Sequence, residues 1–561
     1  MGFRARLMSL SLAFGFVALS GLVMAPAHAA NVTVGCAGLQ AALNASNNGD
    51  VITLTGLCTG AYTLKTGTRI TLQGQTGANA GFDGQDIART TALLTGTNVQ
   101  GTVIRNLRFL HGNRSAGGGA AIDIDGQSAP TLSNLRFIDN HATAASQPGG
   151  AVHLYQTTAL TSGKAITVTN STIGGSGKFD GNSAAAYGGG IAIEATSGQG
   201  SVTFTNNLVQ NGHAGSTGGG ADLYIPDGEI HVIGNRFLSA TAGDSGGGLN
   251  VAALTGTTTE IRGNRFAQNG AETRGAGAWF DLSGPLTLTN NTFSENAIVD
   301  GTGPDIRGAG LGIEKTTSHR VTQSGNRFLE NRIGQKDGTS RVGGGEYIEA
   351  PAGTQITSLN DRYFLNSVEG SNGAGGGLAI EHNGAAPGMI RVTGRNLAIA
   401  GNVAGLPGSG GGLLLSTGCT DCDGELTLRN STIYGNFVGR GLGASDVRGS
   451  GAALKMYNSI VGGFPTGVFE SGRSTVRYSL ACHSHGGRVA GRGNICKNPN
   501  LVDPFNGNIH ETSSSPTRDK GNNTLTGGLS KDFEGQARIL DSNGDGRRRV
   551  DMGADEFKRR R

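Results

Sequence analysis

The amino-acid sequence predicts an all-β protein, a single right-handed parallel β-helix (a solenoid) with a short N-terminal capping helix and a C-terminal cap. Three observations carry that prediction. A Gly-rich triplet followed by a short alternating strand recurs as Gly188–Glu194, Gly246–Val251, Gly308–Glu314, Gly343–Glu349, Gly375–Glu381 and Gly410–Leu415. Successive copies lie about 30 residues apart, the range that marks stacked repeat units. Between them a bulky residue is followed three positions later by Asn, as in Phe137/Asn140, Phe179/Asn182, Leu208/Asn211, Phe266/Asn269, Phe293/Asn296, Phe328/Asn331, Tyr363/Asn366, Ile399/Asn402 and Ile433/Asn436. No helix-period pattern of similar strength appears after the first fifty residues.

Each motif has a physical reason. In the strand after the triplet, apolar residues at alternate positions share one face. The Gly residues permit positive φ and close approach of the next coil. The bulky residue is expected to stack inward on its counterpart in the coil below, with Phe109, Phe137, Phe237, Phe266, Phe293 and Phe328 in the stack. The Asn suits a turn because it tolerates the left-handed region, and repeated in register it makes a ladder between coils.

Taken in order, residues 1–29 read as a secretory signal peptide. Arg4 and Arg6 precede an apolar run from Leu7 to Met24 and the small-residue site Ala27-His28-Ala29, which places cleavage near Ala29/Ala30. An uncleaved membrane anchor is the competing reading. No other apolar stretch approaches the roughly 20 residues needed to span a bilayer, so the mature chain is expected to be a secreted, extracellular or cell-surface monomer without a transmembrane segment. Residues 30–100 form an N-terminal cap and the first coils. There Cys36–Ser46 spaces Leu39, Ala42 and Leu43 like an amphipathic helix, Asn47–Asp50 breaks it, and Val51 starts the first strand. A solenoid's open end needs such a cover. Coils run through residues 101–480, about eleven or twelve of them, or roughly 50–60 Å of rod at about 4.8 Å per coil. Residues 481–557 form the C-terminal cap region, and 558–561 a basic tail.

Composition agrees with this plan. Gly is 99 of 561 residues and aromatics are 5%, which favours many turns and thin strands. The six Cys form three sequence-local pairs, Cys36/Cys58, Cys419/Cys422 and Cys482/Cys496, which in an exported chain read as disulfides. A redox or metal role for Cys419-Thr-Asp-Cys422 lacks a second Cys-x-x-Cys or His pair. The formal charge of +4 comes from the two ends. Without the signal and the tail from Asp541 onward the body is formally neutral, with no basic stripe for nucleic acid.

Two resemblances rest on these residues. The alternating Gly-Gly and Phe-x-x-Asn repeats resemble those of polymorphic outer membrane proteins, β-helical surface passengers implicated in adhesion. Ser515–Asp519, Gly535–Arg538 and Asp551–Glu556 resemble the tail of the choice-of-anchor Q type of exported bacterial β-helix protein. The chain departs from both in carrying no translocating β-barrel, LPxTG-like signal or terminal apolar anchor. The architecture is also similar to that of the pectin-lyase-like superfamily, which includes polysaccharide lyases and hydrolases; fold likeness alone assigns no activity.

Candidate chemistry follows from the strand alternation. Counted from the last Gly, positions one and three face inward and two and four outward. Position four then carries Asp281, Glu314, Glu349 and Glu381, with Asp123 and Glu194 earlier, and position two carries Asp222, Asn250, Trp279, Gly312 and Tyr347. Carboxylates stacked at coil spacing repel, which raises pKa values or recruits a cation such as calcium. In a saccharide groove the acids would be an acid/base pair or calcium ligands. Lys315 would be a base for β-elimination, Trp279 and Tyr347 stacking platforms, and His382 a ligand contact. A solvated outer face that repeats one acidic choice is the plainer reading. Asp541, Asn543 and Asp545 resemble the start of an oxygen-ligand calcium loop, but the closing Glu is missing and three Arg follow, so an Asx-rich turn competes.

Two functions are therefore expected in order. The first is a non-catalytic exported protein that binds a polysaccharide or cell-surface glycan, in the manner of an adhesin. The second is a polysaccharide lyase or glycoside hydrolase built on the acidic ladder. A basic pair facing several acids across one cleft would favour the enzyme; evenly spread acids on a flat flank would favour binding.

Overall fold

The computed structural model describes residues 29–558 except 159–163, 178–179, 197–199, 255, 300–304, 335–339, 371–372, 385–386, 406–409, 418–421, 440–445, 463–468, 471–472 and 483–488. Residues 1–28, which hold all but the last residue of the expected signal peptide, and Phe179, Cys419 and Arg559–Arg561 lie outside the described residues.

The chain winds into a right-handed parallel β-solenoid of about 12 turns. Among the described residues, parallel ladders of 16, 15 and 14 strands enclose the core, and a 12-stranded ladder of two-residue strands lies at one corner. Strands such as Thr258–Arg262 belong to the first ladder, Arg265–Ala267 to the second and Ala278–Leu282 to the third. The third ladder follows the Gly motif. Its first Gly takes the left-handed region in coil after coil, for example Gly188 at φ +65° and Gly246 at φ +68°. At Gly188 a Cβ would also lie 2.6 Å from the Ile191 carbonyl oxygen. That turn therefore requires Gly.

All six Phe of the expected stack are fully buried. They form two runs rather than one. Phe82, Phe109 and Phe137 stack at 5.0 and 5.2 Å, and Phe237, Phe266, Phe293, Phe328 and Tyr363 at 4.6–4.9 Å with rings nearly parallel. In the intervening coils the same register is held by Ile173 and Val209.

Asn211 takes the left-handed region itself (φ 54°), whereas the motif Asn residues from Asn269 onward form a ladder without adopting it. The residue before each does so: Gln268, Glu295 and Glu330 have φ of 54–57°. This frees the Asn side chain to turn into the corner. The backbone N–H and Nδ2 of Asn269 both donate to Asn296 Oδ1, and the same pair of bonds links Asn296 to Asn331, Asn331 to Asn366, Asn366 to Asn402 and Asn402 to Asn436. A second ladder runs from Asn207 through Asn235, Asn264 and Asn291 to Asn326. Each ends on an Asp that only accepts, Asp446 after Asn436 and Asp361 after Asn326.

At the N-terminal end the helix Cys36–Ala45 seats fully buried Leu39 and Leu43 on the core, and a strand not foreseen from the sequence, Asn31–Val34, pairs with Val51–Leu54. Disulfides join Cys36 to Cys58 and Cys482 to Cys496, and Cys422 is also disulfide-bonded. At the far end the Cys482–Cys496 loop supplies Val489 to the core and Asn494 to a ladder of Ser. The rest of the expected cap lies along the flank of the second ladder, not across the rod end. Ile509, Phe533 and Ala554 pack on Ala398 and Ala400, and Met552 on Tyr434, Ile460 and Leu480. Among the described residues no helix is long and apolar enough to cross a membrane.

Candidate functional site

The outer face of the third ladder holds the polar chemistry. Register places Asp281, Glu314, Glu349 and Glu381 in one column, one per coil, all partly exposed. Asp123 does not belong to that column. Its coil begins the turn at Gly119, so Asp123 is paired with His153 two positions nearer the turn, while Glu194 pairs with Tyr155. A shift of two keeps the face and changes the column.

A wall stands beside this column. The short strands Asp305–Arg307, Ser340–Val342 and Gly373–Ala374 form a three-stranded parallel ladder, extended by bridges from Arg307 to Arg274 and from Arg274 to Ser245. Arg274 lies 3.7 Å from Glu314, and Arg307 pairs with Glu349 and lies 3.6 Å from Asp305. Both guanidiniums also cover rings, Arg274 over Trp279 at 5.3 Å and Arg307 over Tyr347 at 5.1 Å. The Tyr347 hydroxyl lies 3.0 Å from both Glu349 Oε2 and Glu381 Oε2. One phenol is thus shared by two carboxylates.

These surroundings separate the carboxylates. Burial pushes Glu381 above the usual Glu range, against the Tyr347 hydrogen bond and the Arg307 charge. Glu314 is raised by burial and then by the Glu349 and Asp281 charges. Asp281 is raised by burial, opposed by Lys315 and Arg274. Glu349 holds the Arg307 ion pair directly.

Several expected site residues sit elsewhere. Trp279 (5% exposed) and Tyr347 (fully buried) offer no open ring, because the wall covers position two. Trp279 fits there because its neighbour is Gly312, where a Cβ would lie 2.3 Å from the indole. Lys315 and His382 occupy position five, which shares the inward parity. Lys315 is fully buried and donates Nζ to the Gly284 carbonyl, and burial lowers it to about 8. His382 Nδ1 accepts the Gly384 N–H and lies 3.5 Å from Cys422 Sγ. Asp541 turns both oxygens to its own loop, accepting the N–H groups of Gly544, Asp545 and Gly546, and Asn543 accepts the Asp545 N–H. This is Asx-turn bonding.

Sequence reasoning missed the wall. Its one signal is an Arg immediately before the first turn Gly in two successive coils, Arg274-Gly275 and Arg307-Gly308. It also missed a second polar station on the same face. Arg114 contacts Asp123 at 2.6 Å, His153 bridges Asp123 at 2.9 Å and Glu194 at 3.1 Å, and Tyr187 reaches Glu194 at 3.4 Å. Burial would lower His153, but the two carboxylates outweigh it and raise it to about 9, so the imidazolium is retained at neutral pH. The neighbouring Asp222 is pushed up to about 6 by burial. A concavity of about 790 Å³ lies away from all of this, between Asn48, Arg69, Asn98, Gln100 and Gln127. Volume alone does not locate chemistry, and the aligned ionisable groups mark the better candidate.

The family model for a right-handed beta helix region matches residues 189–393. That span carries the column from Glu194 to Glu381 and the wall beside it. No curated protein matches the chain.

Proposed function

We propose that this is an exported surface or secreted β-solenoid that binds glycan along the face formed by the Arg274–Arg307 wall and the Asp281–Glu381 column. The observation that carries the reading is the linear row of polar groups, one per coil at about 4.8 Å, faced by two guanidiniums. A row of that kind offers repeated hydrogen bonds to an extended polymer of hydroxyls. Five acids, Asp281, Asp305, Glu314, Glu349 and Glu381, outnumber the two Arg, so like-charge repulsion disfavours polyanionic chains. A neutral or amino-bearing glycan fits better. The tail resemblance to choice-of-anchor Q proteins supports an exported location.

Buried Trp279, under Arg274 of the wall, is the reporter. Neutral, amino-bearing and acidic glycans titrated against its fluorescence should give a saturable change with one of the first two classes. Arg307→Gln should weaken that binding at least tenfold while far-UV circular dichroism stays unchanged. No response to any glycan, or full binding by Arg307→Gln, would remove the proposal.

A second reading, glycoside hydrolysis, is favoured by the unequal pair on Tyr347. Glu381, raised by burial, suits a proton donor, and Arg-paired Glu349 suits a nucleophile. Adjacent coils match the roughly 5–5.5 Å carboxyl separation of a retaining mechanism. The inward Lys315 does not support a lyase. Reducing-sugar release that Glu381→Gln abolishes with binding intact would establish hydrolysis; binding without release leaves this face a binding surface.

A further inference from the structure

The C-terminal segment carries a cluster separate from the acidic column and its wall. His510, Glu534 and Asp555 each present one ligand atom, and these atoms lie within 4.8 Å of one another. Three separate pieces of chain bring them together. His510 lies on the strand Asn508–Glu511, whose Ile509 and Glu511 are buried while its ring points to the partly exposed side. Glu534 is displayed by a tight turn in which Asp532 Oδ1 accepts the N–H groups of Glu534 and Gln536. That turn is anchored by Phe533, whose carbonyl accepts from Arg362 and whose ring lies 4.8 Å from the same guanidinium. Asp555 is held by the Glu511 N–H, which donates to its Oδ2 at 3.0 Å, and by Arg538, which donates to its carbonyl.

An independent observation points to a missing partner. Asp555 is 4% exposed, and its Oδ1 is buried without a hydrogen-bond donor. His510 Nδ1 lies 3.3 Å away as a charge contact, not in hydrogen-bond alignment, and His510 Nε2 is 3.6 Å from Glu534 Oε1. A buried carboxylate oxygen without a donor is costly. A cation bound by Asp555 Oδ1, Glu534 and one His510 nitrogen would satisfy it.

We propose that His510, Glu534 and Asp555 form a site for a first-row divalent transition ion such as Zn²⁺, clamping the three segments of the flank-bound tail. An imidazole nitrogen with two carboxylate oxygens suits such an ion, with water completing the shell, whereas calcium prefers oxygen ligands alone. Tetrahedral zinc holds its ligand atoms about 3–3.5 Å apart, so binding draws the three side chains slightly together.

The test uses tag-free mature protein stripped with chelator and titrated with zinc chloride by calorimetry, with melting followed in parallel. One equivalent should bind and raise the melting temperature, and a large excess of calcium should not displace it. Losing a ligand should weaken binding by at least the roughly 10–100-fold that loss of an outer-shell partner costs. His510→Ala is one variant. Glu534→Gln, at an exposed position whose other side-chain contact is one exposed hydrogen bond from Gln536, is the second and guards against misfolding. No zinc binding by the wild type, unaltered binding in both variants, or displacement by equimolar calcium would overturn the assignment.

Discussion

Glu346 shows how far a single residue can depart from its neighbours. It stands at position one of its strand, where other coils place Leu311 and Leu378, and is fully buried. Tyr363 and Gln323 donate to its two oxygens at 2.6 Å each. Burial raises it to about 8, against those two bonds and with help from Asp361, so the carboxyl is neutral at pH 7. The pH dependence has a definite sign. Below the ordinary value of 4.5 the group is protonated folded and unfolded and has no effect. Between 4.5 and about 8 the unfolded chain releases the proton that the folded chain keeps, so stability falls as pH rises, and above 8 the loss is complete. Glu346→Gln should therefore match the wild type at pH 4 and exceed it at pH 9, by up to about 5 kcal/mol. Urea melts at the two pH values measure this; an equal effect at both would mean that Glu346 does not titrate inside the core. The same scale shows what could be read in advance. Alternation placed Asp281, Glu314, Glu349 and Glu381 in one outward column because side-chain parity is a local property of a strand. It misassigned Asp123 because the Gly run of that coil starts two residues early. It could not show that Trp279 and Tyr347 are covered, since the cover comes from a different part of the coil.

Coils are held by two kinds of stack, and each predicts a different loss. Phe293 is fully buried between Phe266 at 4.6 Å and Phe328 at 4.9 Å. Phe293→Ala should cost about 3–5 kcal/mol as a buried aromatic truncation; a loss below about 1 kcal/mol would place it outside the core. Asn331 acts through donors instead. Its Oδ1 accepts two bonds from Asn296, and its Nδ2 donates to the Phe293 carbonyl and to Asn366. Asn331→Ala strands the Asn296 donors in a dry corner, at about 1–3 kcal/mol for each buried unsatisfied group. Amide exchange distinguishes the two. Loss of Asn331 should first deprotect the Asn296 N–H, whereas loss of Phe293 should loosen strands on both sides. The Phe-x-x-Asn spacing exposed both stacks because each repeats at one fixed point of the coil. The wall has no such repeat. Among the described residues it runs from Ser245 through Arg274 and Arg307 to Ser340–Val342 and Gly373–Ala374. The His510, Glu534 and Asp555 cluster was equally hidden, because long-range folding, not spacing, unites it.

At the scale of the whole molecule, the coils touch only their neighbours, so solenoid stability is close to a sum of nearest-neighbour terms. The tail is the exception, since its residues 501–556 reach back across several coils. Arg538 is its fastening. Fully buried, it donates to Asn396 Oδ1 at 2.5 Å, to the carbonyls of Asn430, Gly553 and Asp555, and to Glu556 Oε1 at 3.0 Å. Glu556 is itself buried and raised to about 9, chiefly by burial and then by Asp551, with Arg538 opposing. Removing one member of a buried pair leaves the other unsatisfied, at about 3–5 kcal/mol, whereas removing both is far milder. Arg538→Ala should therefore free the tail, with rapid proteolysis after residue 500 and loss of exchange protection in Ala398–Ala400 and Thr432–Tyr434 beneath it. Protection from Leu208–Gln210 through Arg327–Leu329 should persist, because among the described residues the tail's contacts fall on Arg362, Phe364 and later coils. Arg538→Met with Glu556→Gln should recover at least half of the loss, since the apolar stem keeps its packing and no carboxyl is left unpaired. If the single variant instead unfolds the whole rod in one transition, the tail is part of a single cooperative unit and the nearest-neighbour description fails.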